Sequence, residues 1–305
     1  MRTMGTLPPL AQDNCGPPIR GLAGSSTSKL RRRASDGETA WKLEIAIVTI
    51  TKDDPAGIRK TVASVEQQNF SGYEHAVVDG GSITGVAEYL AAWRNRDMER
   101  HILVDNPPDG IYPAMNIGIL STSAPIIVIL NGGDQLRSET LRRVSDHYKL
   151  HKWRWAYGGC EGRDSDGRLT GQNIFTPFSK RNFRAGLRNI PHPAAYVTRD
   201  LYYDVGLYRE DLGTGADQEF FLRSCLVAEP GQLPGILAVF LMGGVSSKEG
   251  RIGREISWHR MRLASDTAFG GHAATDLVVT ALLVARRFLF GTVRRLRRFA
   301  QQGHG

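Results

Sequence analysis

The 305-residue chain is 41% hydrophobic and 23% charged, an ordinary balance for a globular protein and enough length for one large domain with appendages. Its formal charge of +8 admits nucleic acid, anionic lipid or anionic small molecules as partners, although much of the excess lies at the two ends. The three cysteines, Cys15, Cys160 and Cys225, form neither a C-x-x-C nor a zinc-spaced cluster, which argues against a disulfide framework and fits a reducing compartment.

Residues 1–42 are rich in Gly, Pro, Ser, Thr and Arg and lack both apolar periodicity and the apolar run of a signal peptide. They read as a disordered tail with a basic patch, KLRRRAS (Lys29–Ser35). Order begins at LEIAIVTI (Leu43–Ile50), a short β-branched run that reads as a buried strand. Asp54 then offers an N-cap and Pro55 a first helical residue, and Ile58, Val62 and Val65 recur at helical spacing. YEHAVVDGG predicts a second strand that ends at Asp79 and turns at Gly80 and Gly81, followed by a helix to about Arg94. HILVD (His101–Asp105) is a third strand, and a helix containing AMNIGIL leads to a fourth, APIIVIL. The alternation predicts an α/β fold with a mostly parallel central sheet and helices on both faces.

Ligands of such sheets lie beyond the carboxyl ends of the strands. That rule gathers three clusters on one rim: Thr49, Thr51 and Lys52; Asp79, Gly80, Gly81 and Ser82; and Asn131 to Asp134 of NGGD. Each cluster alone reads equally well as a turn. No G-x-G-x-x-G follows the first strand and no P-loop motif occurs, so neither dinucleotide nor P-loop chemistry is indicated.

Four segments in order carry a resemblance: IAIVTITKDD, VVDGGSITG, DNPPDGIYPAMNIGILSTSAPIIVILNGGD and HPAAYVTRDLYYDVGLYREDLGTGADQEFFLR. Together, over roughly Lys42 to Val245, they resemble the family-2 inverting glycosyltransferases, which have the nucleotide-sugar-binding GT-A fold. Among relatives the chain looks nearest to bacterial enzymes that extend surface polysaccharides or glycolipids. The resemblance implies a glycosyltransferase domain over residues 43–250. It would move a hexosyl group from a nucleotide-diphosphate sugar, a UDP-sugar first, to a glycan or lipid-linked hydroxyl with inversion, and a divalent metal, Mg2+ or Mn2+, would assist. Where the family often shows Asp-x-Asp, this chain has Asn131 and Gly133, which leaves Asp134 as the expected metal ligand. One carboxylate can serve, because these ions complete their shells with phosphate oxygens and water.

Asp217 aligns with the family's catalytic aspartate, with Ala216 in place of a preceding glutamate, and is expected as the base ahead of Glu219. Its alternative role is the N-cap of the helix QEFFLRSCLV. Donor contacts are expected from Thr49, Thr51, Asp79, Gly80, Asp109, Gly110, Tyr112, Asn116, Gly133 and His192. Asp79 would meet the uracil or ribose, and His192 would approach the diphosphate or acceptor unless it is a turn residue between its two prolines. The Arg- and Lys-rich stretch from Gly158 to Pro193 reads as a cationic acceptor rim or as a solvated hairpin and helix.

Residues 251–305 predict a helical, basic segment. Within Asp276–Phe299, Val278, Leu282, Ala285, Leu289, Val293 and Leu296 recur at helical spacing, with six arginines mostly elsewhere. The uncharged run Leu277–Ala285 falls far short of the ~20 residues of a membrane span, so the segment reads as a helix lying on an anionic membrane surface. That places a cytoplasmic protein at the cytoplasmic face of a membrane; the alternative is a helix packed on the domain. A catalytically weak sugar-nucleotide-binding scaffold is the rival function. A specific nucleic-acid partner is not expected, since no aromatic-interleaved basic stretch occurs in the core.

Overall fold

The computed structural model describes residues 43–83, 85–105, 110–173, 178–242 and 251–286, all within the compact unit Trp41–Gly305. The expected tail over 1–42, Asp109, and the arginine-rich end beyond residue 286 lie outside the described residues.

The first half is built as its apolar runs predict. Strand β1 (Ile45–Thr51) is followed by α1 (Pro55–Glu66), β2 (Tyr73–Asp79), α2 (Val86–Arg96), β3 (His101–Asp105), α3 (Ile111–Ser121) and β4 (Ile126–Asn131). The Asp54 side chain accepts from the Gly57 N–H at 2.8 Å and so caps α1, with Pro55 at its first position. The strands pair in parallel, in the order β3-β2-β1-β4. All seven residues of β1 are buried, and they alternate between two cores. Ala46, Val48 and Ile50 pack with Met115 and Ile119 of α3, whereas Ile45 and Ile47 pack with Val65 of α1.

The second half turns the sheet antiparallel. After β5 (Gln135–Leu136) and α4 (Thr140–His151), β6 (Trp155–Arg163) and β7 (Leu169–Asn173) form a hairpin, and the short helix α5 (Lys180–Arg184) follows. The segment that read as a cationic rim or a hairpin and helix thus includes a hairpin and helix. Strand β8 (Ala195–Thr198) lies antiparallel between β4 and β6, and β9 (Gly231–Leu241) runs parallel to β6 and pairs with β5. Helices α6 (Arg199–Val205) and α7 (Ala216–Val227) cover the face shared with α3 through Leu201, Phe220 and Phe221.

Two C-terminal helices close the described chain: α8 (Arg251–Ala264) and α9, helical over 273–286. Trp258 and Met261 of α8 join the core beside Phe183 and Phe220. Arg262 and Asp276 are both fully buried and meet twice, at 2.8 and 2.9 Å, with His259 Nδ1 2.6 Å and Thr280 Oγ1 3.5 Å from the same carboxylate. This buried, hydrogen-bonded ion pair joins α9 to α8. Apolar side chains are exposed on both helices: Ile252 and Ile256 on α8 are 52% and 45% exposed, and Leu277, Val278 and Leu282 on α9 are 58%, 61% and 65% exposed. Among the described residues, no helix is long and apolar enough to cross a membrane.

Candidate active site

Strand register puts three polar ends side by side. Thr51 pairs with Asp79, and Ile50 with Asn131, so β1, β2 and β4 finish level. The ladder runs one bond further into the turns, from the Gly80 N–H to the Thr51 carbonyl at 2.8 Å and from the Gly132 N–H to the Ile50 carbonyl at 2.9 Å. The turn after β2 is clipped to the turn after β1. Asp79 accepts from Ser82 Oγ at 2.6 Å, and the Asp53 carboxylate accepts from the Ile83 N–H at 2.9 Å. A side chain at Gly80 would meet the Lys52 stem at 3.3 Å, so the backbone lies bare there for lack of space as well as of a Cβ.

The expected donor residues divide. Thr51 Oγ1 and Asn131 Oδ1 are buried at the strand ends without a hydrogen-bond partner, which marks both as atoms awaiting one. Thr49 instead faces the core, fully buried, with its hydroxyl 2.9 Å from His75 Nε2, so it is removed from donor contact. Asn116 is likewise spent within the protein. Its side chain bonds the Tyr208 N–H and carbonyl at 3.0 and 2.9 Å and Glu210 Oε1 at 3.0 Å, tying α3 to the segment before α7. Gly110 is the N-cap of α3.

The turn after β4 is a tightly held structure. Gly133 has φ +99°, which favours glycine, and a Cβ there would come within 2.5 Å of a Leu241 methyl, which would have to turn aside. Thr61 on α1 accepts from the Gly133 N–H at 2.9 Å and donates to the Asp134 carbonyl at 2.7 Å. The Asp134 side chain is 1% exposed, and each of its oxygens is hydrogen-bonded. Oδ2 accepts from the Asn131 N–H at 3.0 Å, and Oδ1 from the Leu241 N–H of β9 at 3.1 Å.

A cation ligated by Asp134 would need an oxygen lone pair facing the cleft, in a shell of oxygen donors. Both carboxylate oxygens already serve backbone amides, the neighbouring positions are Asn131 and Gly133, and His192 Nε2 lies 3.5 Å from Oδ2. Among the described residues, no group of three or more His, Cys, Asp or Glu is placed to hold a metal ion. Each Asp134 oxygen keeps a second lone pair after its amide, and Asn131 Oδ1 beside it has no partner, so these two residues would hold a divalent cation with phosphate oxygens and water completing its shell. Asp134 also latches the β4 turn to β9.

His192 opens the 3-10 turn His192–Ala194 after Pro191 and stands between the two aspartates, 3.5 Å from Asp134 Oδ2 and 3.9 Å from Asp217 Oδ2. Asn131 Nδ2 is 3.2 Å from the same Nε2, and Phe240 meets the ring edge-on. Burial opposes a charge on this imidazole, but the hydrogen bond and charge of Asp134, with the charge of Asp217, outweigh it and raise its pKa.

Asp217 is not the cap of its helix. The N-cap of α7 is Gly215, at φ +107°, and no side chain closes that end. The Asp217 carboxylate, 18% exposed, turns back to Tyr112 and Gln218. Tyr112 Oη lies 3.3 Å from Oδ1, and Gln218 Nε2 donates to Oδ2 at 3.0 Å. Glu219, two residues on, is fully buried and locked to Arg223 at 2.8 and 3.0 Å, and Arg223 also holds the Gly206 and Leu207 carbonyls at the end of α6. One imidazole therefore touches both aspartates, and Glu219 is out of reach. Sequence reading missed Thr61, Gln218 and Arg223. Only Thr61 leaves a trace, as a polar residue on the apolar stripe of Ile58, Val62 and Val65.

A sheet of this order with its polar rim is that of the GT-A fold. TarS of S. aureus, residues 1–349 in complex with UDP-GlcNAc, shares it at a TM-score of 0.60 and 16% identity, over 81% of this chain and 73% of that one. The mannosyltransferase PcManGT of Pyrobaculum calidifontis, in complex with GDP-Man and Mn2+, does so at 0.56 and 15%, over 88% and 86%. An uncharacterised glycosyltransferase of Mycobacterium tuberculosis is 32% identical over 217 residues, covering 67% of this chain and 77% of its own. The model of glycosyl transferase family 2 matches residues 46–202. The chain belongs to glycosyl transferase family 2, and its class of reaction is sugar transfer.

Proposed function

We propose that the protein transfers one hexosyl group from a nucleotide-diphosphate sugar, a UDP-sugar first, to a hydroxyl of a glycan or lipid-linked acceptor, with inversion at the anomeric carbon. Asp217 is the base. It takes the proton from the acceptor hydroxyl as that oxygen attacks the anomeric carbon. The bond to the diphosphate breaks on the opposite face, and its electron pair leaves on the phosphate oxygen. The supporting observation is the contrast on α7: the Asp217 carboxylate is partly open, beside His192, while Glu219 is sealed by Arg223.

Thr51, Asp79, Gly80, Gly110 and Asn131 line the donor side, and Asp109 is kept there on the resemblance alone. Gly133 shapes the turn beneath the diphosphate, and His192 can carry positive charge beside it. Asp134, with Asn131, would hold a divalent cation, Mg2+ or Mn2+, which would stabilise negative charge on the departing diphosphate.

The test is a donor panel. Purified protein is incubated with UDP-glucose, UDP-GlcNAc and GDP-mannose in EDTA and in manganese, and release of nucleotide is followed. Asp217→Asn should lower turnover at least ~100-fold, the usual contribution of a positioned base, while thermal shift with UDP stays unchanged. Near-normal turnover by this variant would remove the base. NMR of the new anomeric centre reads inversion directly. The lipid-linked reading of the acceptor is supported by the exposed apolar side chains of α8 and α9, which would set the enzyme on the cytoplasmic face of a membrane.

A further inference from the structure

Tyr112 stands on the first turn of α3, where the motif places the donor floor, yet its hydroxyl is engaged with α7. It accepts from the Gly215 N–H at 2.9 Å and lies 3.3 Å from Asp217 Oδ1, links spanning 103 and 105 residues of sequence. These two contacts fix the direction of the proton. With the amide donating to the phenol oxygen, the phenol's single hydrogen is left for the carboxylate. Burial first, and then the Asp217 charge, raise the phenol pKa, so the group stays a donor. The other oxygen, Oδ2, is held by Gln218 Nε2, whose amide is in turn fixed on the N–H and carbonyl of Ile190, both at 2.9 Å. The helix itself supplies no cap at Gly215, so Tyr112 takes up the N–H that leads into it.

We propose that Tyr112 is a positioning residue for the base: the chain from the Gly215 N–H through the Tyr112 O–H aims the Asp217 carboxylate at the acceptor hydroxyl, and the phenol is not a wall of the donor pocket. The inference rests on the reading of Asp217 as the base. A carboxylate has about four lone-pair directions. Two are occupied from behind, by α3 and by Gln218, which leaves the remainder for an incoming O–H. Losing the phenol hydrogen frees the carboxylate to rotate and removes one donor that favours its charged form.

Tyr112→Phe keeps the ring and deletes only the hydroxyl. Donor hydrolysis, in which water takes the acceptor's place, is measured against pH with UDP-glucose, UDP-GlcNAc and GDP-mannose. The expected result is a kcat lower by roughly 10- to 100-fold, a KM for the donor within about twofold, and an acid limb of the rate profile moved to higher pH. A raised KM with unchanged kcat and acid limb would return Tyr112 to the donor floor and overturn the proposal. So would a lower melting temperature with an unmoved acid limb, the mark of a merely structural phenol. Asp217→Asn runs in parallel; if it turns over normally, the fault lies in the choice of base. A crystal structure of Tyr112→Phe gives a readout free of activity. An Asp217 carboxylate as well ordered and in the same rotamer as in the parent would overturn the positioning role whatever the kinetics.

Discussion

Two carboxylates two residues apart on α7 have opposite fates, and burial decides them. Glu219 is enclosed with Arg223 at hydrogen-bond distance and ties α7 to the end of α6; Asp217 keeps an open edge. From sequence alone the two were separable only through family resemblance, because both sit in the first turn of a helix and acidic residues are favoured there whatever their use. The partners that position Asp217 are legible only in part: Gln218 adjoins it, but Tyr112 lies 105 residues away. His75 is a second buried group with a measurable consequence. It lies wholly inside the sheet against Thr49 and Trp93, and burial, aided by His101, lowers its pKa to about 3. The folded state refuses a proton that the unfolded chain accepts below 6.5. Stability is therefore complete above pH 6.5 and falls as pH drops from 6.5 towards 3, with a slope from this group approaching ~1.4 kcal/mol per pH unit. Urea unfolding of His75→Gln between pH 7 and 4.5 should show that slope removed, and an unchanged slope would show that His75 does not supply it.

At the scale of the element, the strands that bind the site announce themselves and those that enclose it do not. Buried parallel strands are short, largely apolar runs, which is why β1 and β4 can be read almost to the residue, and β2 from its AVVD end. Strand β8 has four residues, and β9 contains Pro234 and Gly235 and slips register against β6 near Gly159, so neither shows a clean alternation. The turn after β4 shows the same limit. Its NGGD could be read as a ligand-bearing turn, but the amide of Leu241 that occupies the Asp134 carboxylate arrives from 107 residues away. As a latch, Asp134 should matter without any metal. Asp134→Asn sets an N–H2 against one of two backbone donors, leaving a buried N–H unpaired at a cost of about 1–3 kcal/mol, or a few degrees of melting temperature. The drop should appear in EDTA, where no metal contributes, and a variant that melts like the parent there would reject the latch.

At the scale of the molecule, α8 and α9 are joined from inside and bare outside. The Arg262–Asp276 pair spends their polar contacts inward, while Leu277, Val278 and Leu282 face solvent, with Arg254, Arg260 and Arg286 also exposed. The sequence places five more arginines between 287 and 298. Exposed apolar side chains together with arginines suit an anionic lipid interface better than a neutral one. Flotation with phosphatidylglycerol vesicles should carry the parent protein upward and leave Leu277→Glu/Leu282→Glu behind, with little binding to phosphatidylcholine. Equal flotation of the two proteins would reject the surface. The periodicity of this segment was readable. Which stripe turned inward was not, because the anchor is Asp276 and Thr280, polar residues that an apolar count passes over.

The crowding of Gly133 by Leu241 has a historical corollary. A lineage starting from this chain that gains an acid at position 133 must turn the Leu241 side chain aside and hold a non-glycine residue at φ +99°. Substitution at 133 is thus coupled to the side chain at 241, and the two positions should covary among descendants.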